Sequence, residues 1–221
     1  RKAEQPSTDV EDCNGYYPLS EGISFELTYY DKKDKPSAIY KHRIVDSKDI
    51  ANGVEVTCEL SLSDEKGNPG MEMTYEAKCQ NAEYFLNLES MFSQVTSQYK
   101  AQGMEVSVDN GMSVIPNDLA VGDKLDDVTM TMKMSSAAFN MDMIITISDR
   151  IEMGKETKTT PAGTFDCMIL AQKTTTKMGK IMTVVTSSKE WLSKGVGSVR
   201  SENYDKKGKI DGYTVHTKFS K

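Results

Sequence analysis

A chain of 221 residues with 33 acidic and 27 basic side chains, a net charge of −6 and 38% hydrophobic residues falls within the size that an all-β barrel or sandwich reaches as one domain. The acidic balance and the lack of any Lys/Arg block argue against a nucleic-acid backbone or an anionic membrane surface as partner, because both need a positive patch. No run approaches the roughly 18 apolar residues of a spanning helix, so no transmembrane segment is expected.

Residues 1–14 read as a polar leader after a processed or truncated N-terminus, and residues 15–221 as one β-barrel domain. Gly22 to Tyr30 alternates, with Ile23, Phe25, Leu27 and Tyr29 on one face. Asp31–Pro36 breaks this strand, and Ala38 to Val45 resumes it. The same punctuation returns at Asp64–Gly70 and Asp205–Lys209, where Asp bonds its own backbone and Gly takes a left-handed turn position, so all three are hairpin ends. In the second hairpin Val54, Val56, Cys58, Leu60 and Leu62 face Met71, Met73, Tyr75, Ala77 and Cys79.

Between Ala82 and Gly103 the period changes: Phe85, Leu88, Phe92, Val95 and Tyr99 recur at helical spacing and predict the one amphipathic helix. A short strand from Met112 and an irregular connector follow. Alternating runs then extend from Val128 to Met134, Phe139 to Ile147, Ile151 to Thr160, Phe165 to Met178, Ile181 to Trp191, Val196 to Tyr204 and Ile210 to Phe219. The Pro161–Gly163 corner turns one run into the next. The pattern predicts a mainly β fold: an antiparallel, closed or partly open barrel of about eleven strands with one helix, a β-sandwich being the alternative.

Fourteen methionines are the compositional oddity. Met71, Met73, Met130, Met132, Met134, Met141 and Met143 fall on inferred inward faces. With Phe92, Phe139 and Trp191 they form a candidate lining for a greasy ligand, the helix serving as plug or lid. Core filling and a soft-metal site on Met-x-Met spacing are the competing readings. Trp191 also reads as a buried anchor beside a Gly turn. Cys13, Cys58, Cys79 and Cys167 lack metal-ligand spacing. A Cys58–Cys79 bridge, with Cys13 and Cys167 paired or free, stands beside four buried thiols. His42 and His216 read as surface residues. No nucleophile elbow, phosphate loop or metalloprotease motif is present, so no catalytic residue, metal or cofactor is expected.

Several stretches carry a family likeness. Cys13-Asn14-Gly15-Tyr16-Tyr17-Pro18-Leu19, Ile115-Pro116 with Val121–Leu125, Thr160–Cys167, and Glu190-Trp191 with Gly195–Val199 resemble the TapB-like group of uncharacterised secreted bacterial proteins. The match runs across nearly the whole chain. That group is in turn similar to a domain of unknown function placed near the LolA and LolB lipoprotein carriers. The resemblance implies a Gram-negative envelope location, an export signal removed before this N-terminus and, through LolA and LolB, an unclosed barrel holding acyl chains. It carries no catalytic residues.

The expectation is therefore a non-catalytic periplasmic or envelope protein that binds a lipid or acyl chain, with an envelope protein as a further partner. The alternative is a structural or protein-interaction module with a filled core.

Overall fold

The chain crosses the molecule mostly as antiparallel strands because Asp-led turns fold it back at short intervals. The computed structural model describes residues 13–102, 104–109, 111–136, 140–180 and 182–220. Its elements are β1 (Ser24–Asp31), β2 (Pro36–Ile50), β3 (Gly53–Asp64), β4 (Pro69–Gln80), β5 (Glu83–Asn87), α1 (Leu88–Ala101), β6 (Glu105–Asp109) and β7 (Met112–Pro116). They continue with β8 (Lys124–Leu125), β9 (Val128–Ser135), β10 (Asn140–Thr160), β11 (Gly163–Met178), β12 (Met182–Ser193), β13 (Gly197–Tyr204) and β14 (Ile210–Ser220).

Three hairpins share one loop chemistry. Asp31, Asp64 and Asp205 each accept two backbone N–H bonds, from Lys33 and Lys35, Lys66 and Asn68, and Lys207 and Lys209. Asp34, Gly67 and Gly208 supply the left-handed residue. These carboxyls are held below the usual carboxylate range, chiefly by hydrogen bonds within the turns.

The expected closure does not form. All fourteen strands lie in one sheet, ordered β6-β9-β10-β11-β12-β13-β14-β1-β2-β3-β4-β5-β7, with β8 beside β10. Among the described residues β6 and β7 are the two outer edges and do not pair, so the sheet is open and is neither the LolA-like barrel nor two stacked sheets. Strand count and closure differ from expectation for separate reasons. The count rises because β5, β6 and β8 form where the sequence pattern predicts a helix, no element and an irregular connector, even though two expected strands merge. The runs around Ile147 and Ile151 are one strand, β10, which bends at Asp149 and through two bulges. Closure depends on whether two remote edges pair, which alternation along each strand does not encode.

The helix begins later than its periodicity suggests. Phe85 lies in β5, because Asn81 and Ala82, both at positive φ, turn β4 directly into another strand. Asn87 then ends that strand, its Oδ1 accepting from the Ser90 N–H. The side chains of Val95 and Tyr99, and all of Gly103, lie outside the described residues, as do residues 1–12 of the expected leader.

Cys13 is disulfide-bonded to Cys79, 66 residues away, while Cys58 and Cys167 are free and buried. A Cys58–Cys79 bridge is ruled out by register. Cys79 stands opposite Val54 and Cys58 opposite Tyr75. Four ladder positions separate them, about 13 Å along the strand, against the roughly 7 Å Cα limit of a disulfide. The segment after Cys13 runs across the sheet as a strap. Gly195 N–H donates to the Gly15 carbonyl, and Val196 and Gly197 N–H donate to that of Tyr16. Gly15 has no room for a side chain, since a Cβ would lie 2.1 Å from Asn117 Oδ1.

Tyr17 packs against both major apolar clusters. One is built on Ile44, Val56, Leu60 and Tyr84; the other on Tyr16, Ile115, Met168, Leu170 and Leu192. The Tyr17 ring stacks on Tyr84 at 4.3 Å.

Replacing Cys13 with Ser is expected to cost roughly 2–4 kcal/mol, seen as a lower urea midpoint. A non-reducing digest should yield Cys13 and Cys79 peptides linked; a Cys58–Cys79 linkage would overturn the pairing.

Candidate functional site

The candidate lining residues do not converge on one cavity. Met132 and Met134 are buried with Val106, and Phe92 of α1, Met104 and Met143 pack around them where α1 lies against β6; Met141 joins the same cluster. Met130 is buried nearby. Helix α1 is docked by Ser90, whose Oγ accepts from the Glu76 N–H of β4. Met73 packs at the edge of the cluster on Ile44, and Met71 is 49% exposed. Trp191 sits in a separate cluster with Cys167 and Val199, its indole N–H donating to Glu156 Oε2 at 2.8 Å and Lys158 Nζ 4.6 Å from its ring. Phe139 lies outside the described residues.

What alternation does produce is a row. Val108, Met132, Met143, Met178 and Met182 are consecutive ladder partners across β6, β9, β10, β11 and β12. The row begins beneath α1 and ends at Met182, 45% exposed on β12. Met178 and Met182 were not among the candidates, because pairing between strands is invisible in the pattern of any one strand.

A second arrangement, also unanticipated, is a knot of buried polar groups. Arg150, on β10, donates to the Asp126 carbonyl from Nη1, and to Ser113 Oγ and the Val114 carbonyl from Nη2. It thereby ties β10 to the edge strand β7. Burial works against its charge, while Tyr17, Asp126, Asp127 and Glu190 support it. Glu152, Leu170 and Glu190 are successive ladder partners on β10, β11 and β12. Glu152 is 0% exposed, and neither carboxylate oxygen has a hydrogen-bond partner among the described residues. The Glu190 carboxyl is pushed up by burial, against the opposing effects of Ser198 and Arg150. Burial also raises Tyr17 and Tyr84 well above the usual phenol range.

The histidines are inside, contrary to expectation. His216 is 0% exposed, because a bulge at Thr217 inverts the parity of β14 and sets His216, rather than Thr217, opposite Leu27. His42 stacks on Phe25 at 4.6 Å, with Nδ1 3.0 Å from the Tyr75 hydroxyl; Phe25 lies between it and His216. Burial, with His216 adding, pushes His42 down to about 4. Burial also lowers His216.

An open cleft of about 740 Å³ lies at the ends of β10, β11 and β12, lined by Tyr16, Lys155, Thr157, Asp166 and Lys194. Within it and at its rim Thr157 Oγ1 donates to Asp166 and Lys194 to Asp118. The Cys167 thiol at its floor is pushed up to about 11 by burial, as is Cys58, so neither is a nucleophile at neutral pH. Among the described residues no three His, Cys, Asp or Glu side chains converge as metal ligands.

Fold and site together define an open, single-sheet antiparallel β protein whose interior is filled by its own chain. The chain belongs to the DUF3108-like family, whose model matches residues 20–216. Nothing in these matches ties it to the TapB-like group or to LolA and LolB. It is similar to the crystal structure of a "putative lipoprotein" from Parabacteroides distasonis, at 26% identity and TM-score 0.75, over 94% of this chain and 99% of that one. It also shares its fold with a "putative exported protein with YmcC-like fold" from Bacteroides fragilis, at 23% identity and TM-score 0.74, over 95% and 100% of the two chains. No curated protein matches the chain.

The buried titratable groups give two opposite pH dependences. His42 is neutral in the native state, while the unfolded chain takes up a proton below about pH 6.5. Its contribution is full above that pH and is lost as pH falls through about 4. His42→Phe should flatten this acid limb by up to about 1.4 kcal/mol per pH unit, measured as urea stability from pH 6.5 to 4. Glu190 has the reverse sign. Its raised native pKa favours folding below the unfolded value near 4.3, and that benefit is lost as pH rises through the native pKa. Glu190→Gln should therefore raise the urea midpoint at pH 7 relative to its effect at pH 4.

Proposed function

We propose that this protein is a non-catalytic structural or protein-interaction module of the bacterial cell envelope. One observation carries the reading: the interior face of the sheet, where a carrier would hold its cargo, is occupied by the chain's own Tyr16, Tyr17 and Leu19. A filled interior supports presentation of outer surfaces and edges rather than enclosure of a ligand. The extracytoplasmic setting is supported by the two similar structures, described as a "putative lipoprotein" and a "putative exported protein". It is supported independently by the Cys13–Cys79 disulfide, which persists in oxidising compartments. Among the described residues no helix is long and apolar enough to cross a membrane.

The test is lipid occupancy. Protein purified without detergent is expected to release no stoichiometric lipid on organic extraction and mass spectrometry, and to leave the emission of a fluorescent fatty acid unchanged. One equivalent of co-purified acyl chain would overturn the filled-core reading.

A further inference from the structure

We infer that the free edge of β12, Met182–Thr186, is a strand-addition site for an extended, β-branched segment of a partner protein that is acidic at the end nearest the β13–β14 turn. The inference rests on the interaction-module reading and names its surface.

Strand β12 pairs with β11 from Leu192 to Met182, but β13 covers it only from Ser193 to Ser187. At Tyr204, opposite Ser187, the chain leaves for the Asp205–Lys209 turn, and among the described residues nothing pairs with the next five positions of β12. Alternate backbone N–H and C=O groups along this edge therefore face solvent. Edge strands are ordinarily guarded by Lys, Pro or a bulge. Met182-Thr183-Val184-Val185-Thr186 has no charge, no Pro and no Gly, its ladder with β11 is unbroken, and Met182 and Val184 are 45% and 42% exposed. The five-residue ladder row from Val108 to Met182 stops at this edge, so an added strand supplies its next member.

Charge selects the occupant. The lane that β13 vacates ends in a notch of about 650 Å³ formed by Val185, Ser187, Lys189, Tyr204 and Lys206 beside Gly208. Lys189 Nζ lies 5.9 Å from the Tyr204 ring. The Asp205 carboxylate also lines this notch but accepts the Lys207 and Lys209 N–H bonds of its own turn. Glu202, opposite Lys189, is held by Arg200 and the Tyr204 hydroxyl, so Lys189 and Lys206 are the lining charges without an anion bonded to them among the described residues. A strand running antiparallel to β12, as β13 does, places its N-terminal end at the notch. A second copy of this chain paired antiparallel through the same segment would bring Lys180 there, against Lys189 and Lys206, whereas an acidic guest is complementary.

The test uses a fluorescein-labelled probe peptide, Glu-Glu-Thr-Val-Thr-Val-Thr-amide, titrated with the intact protein by anisotropy. Saturable binding is expected, lost when alternate peptide nitrogens are methylated and weakened roughly tenfold or more by Val184→Lys and by Lys206→Glu. Lys206 is on an exposed turn, so Lys206→Glu carries the test if Val184→Lys does not fold. Equal binding of the methylated peptide, or no effect of the substitutions, overturns the site. Failure of the peptide with a concentration-dependent dimer that Val184→Lys abolishes gives the edge to a second copy and also overturns the proposal. Failure of the peptide by a lipid-free protein sinks the edge alone; stoichiometric lipid sinks the interaction reading whatever the peptide does.

Discussion

Eleven residues before β1 hold the architecture together. The strap from Cys13 to Ile23 is bonded covalently to the end of β4, by backbone hydrogen bonds to the Gly195–Gly197 turn, and by Gly22 and Ile23 to Ile44. A single open sheet has no second layer to bury its inner face. The strap and α1 act as that layer, and Tyr17 joins the two apolar clusters into one interior. The space Gly15 leaves for Asn117 shows how little slack the crossing has.

A filled interior has an electrostatic counterpart. Arg150, Glu152, Glu190 and the two histidines are ionisable groups placed where water is scarce, and uncompensated charge there destabilises a fold. Arg150 justifies its position by bridging β10 to β7, an edge that no ladder secures on its outer side. Glu152 has no such bridge among the described residues. The shifted His42 and Glu190 make the stability of the fold depend on pH.

Much of the local structure was legible because its causes are local. An Asp that bonds its own turn and a left-handed residue three positions later announce a hairpin wherever they occur, and did so at Asp31, Asp64 and Asp205. The helix was legible in its body but not at its start, since Phe85 fits both a helical stripe and the strand that the Asn81–Ala82 turn creates. The remainder was set by partners remote in sequence. The bulge at Thr217 turned His216 inward, the crossing of the strap chose Cys13 for Cys79, and the lack of pairing between β6 and β7 left the sheet open. Met130, Met132 and Met134 turn inward along β9 while Met71 is exposed, and alternation gives a wall and not a room. The methionine row became visible only once four ladders fixed which methionine stands beside which.

The order of the sheet sets the order in which it can be completed. Strand β1, the first made, lies in the middle of the sheet with β14, the last made, at its side, Ser24 opposite Ser220. The centre of the sheet is therefore unfinished until β14 is in place, and closing that seam joins the first of these strands to the last. The same adjacency brings the two ends of the sheet-forming chain together.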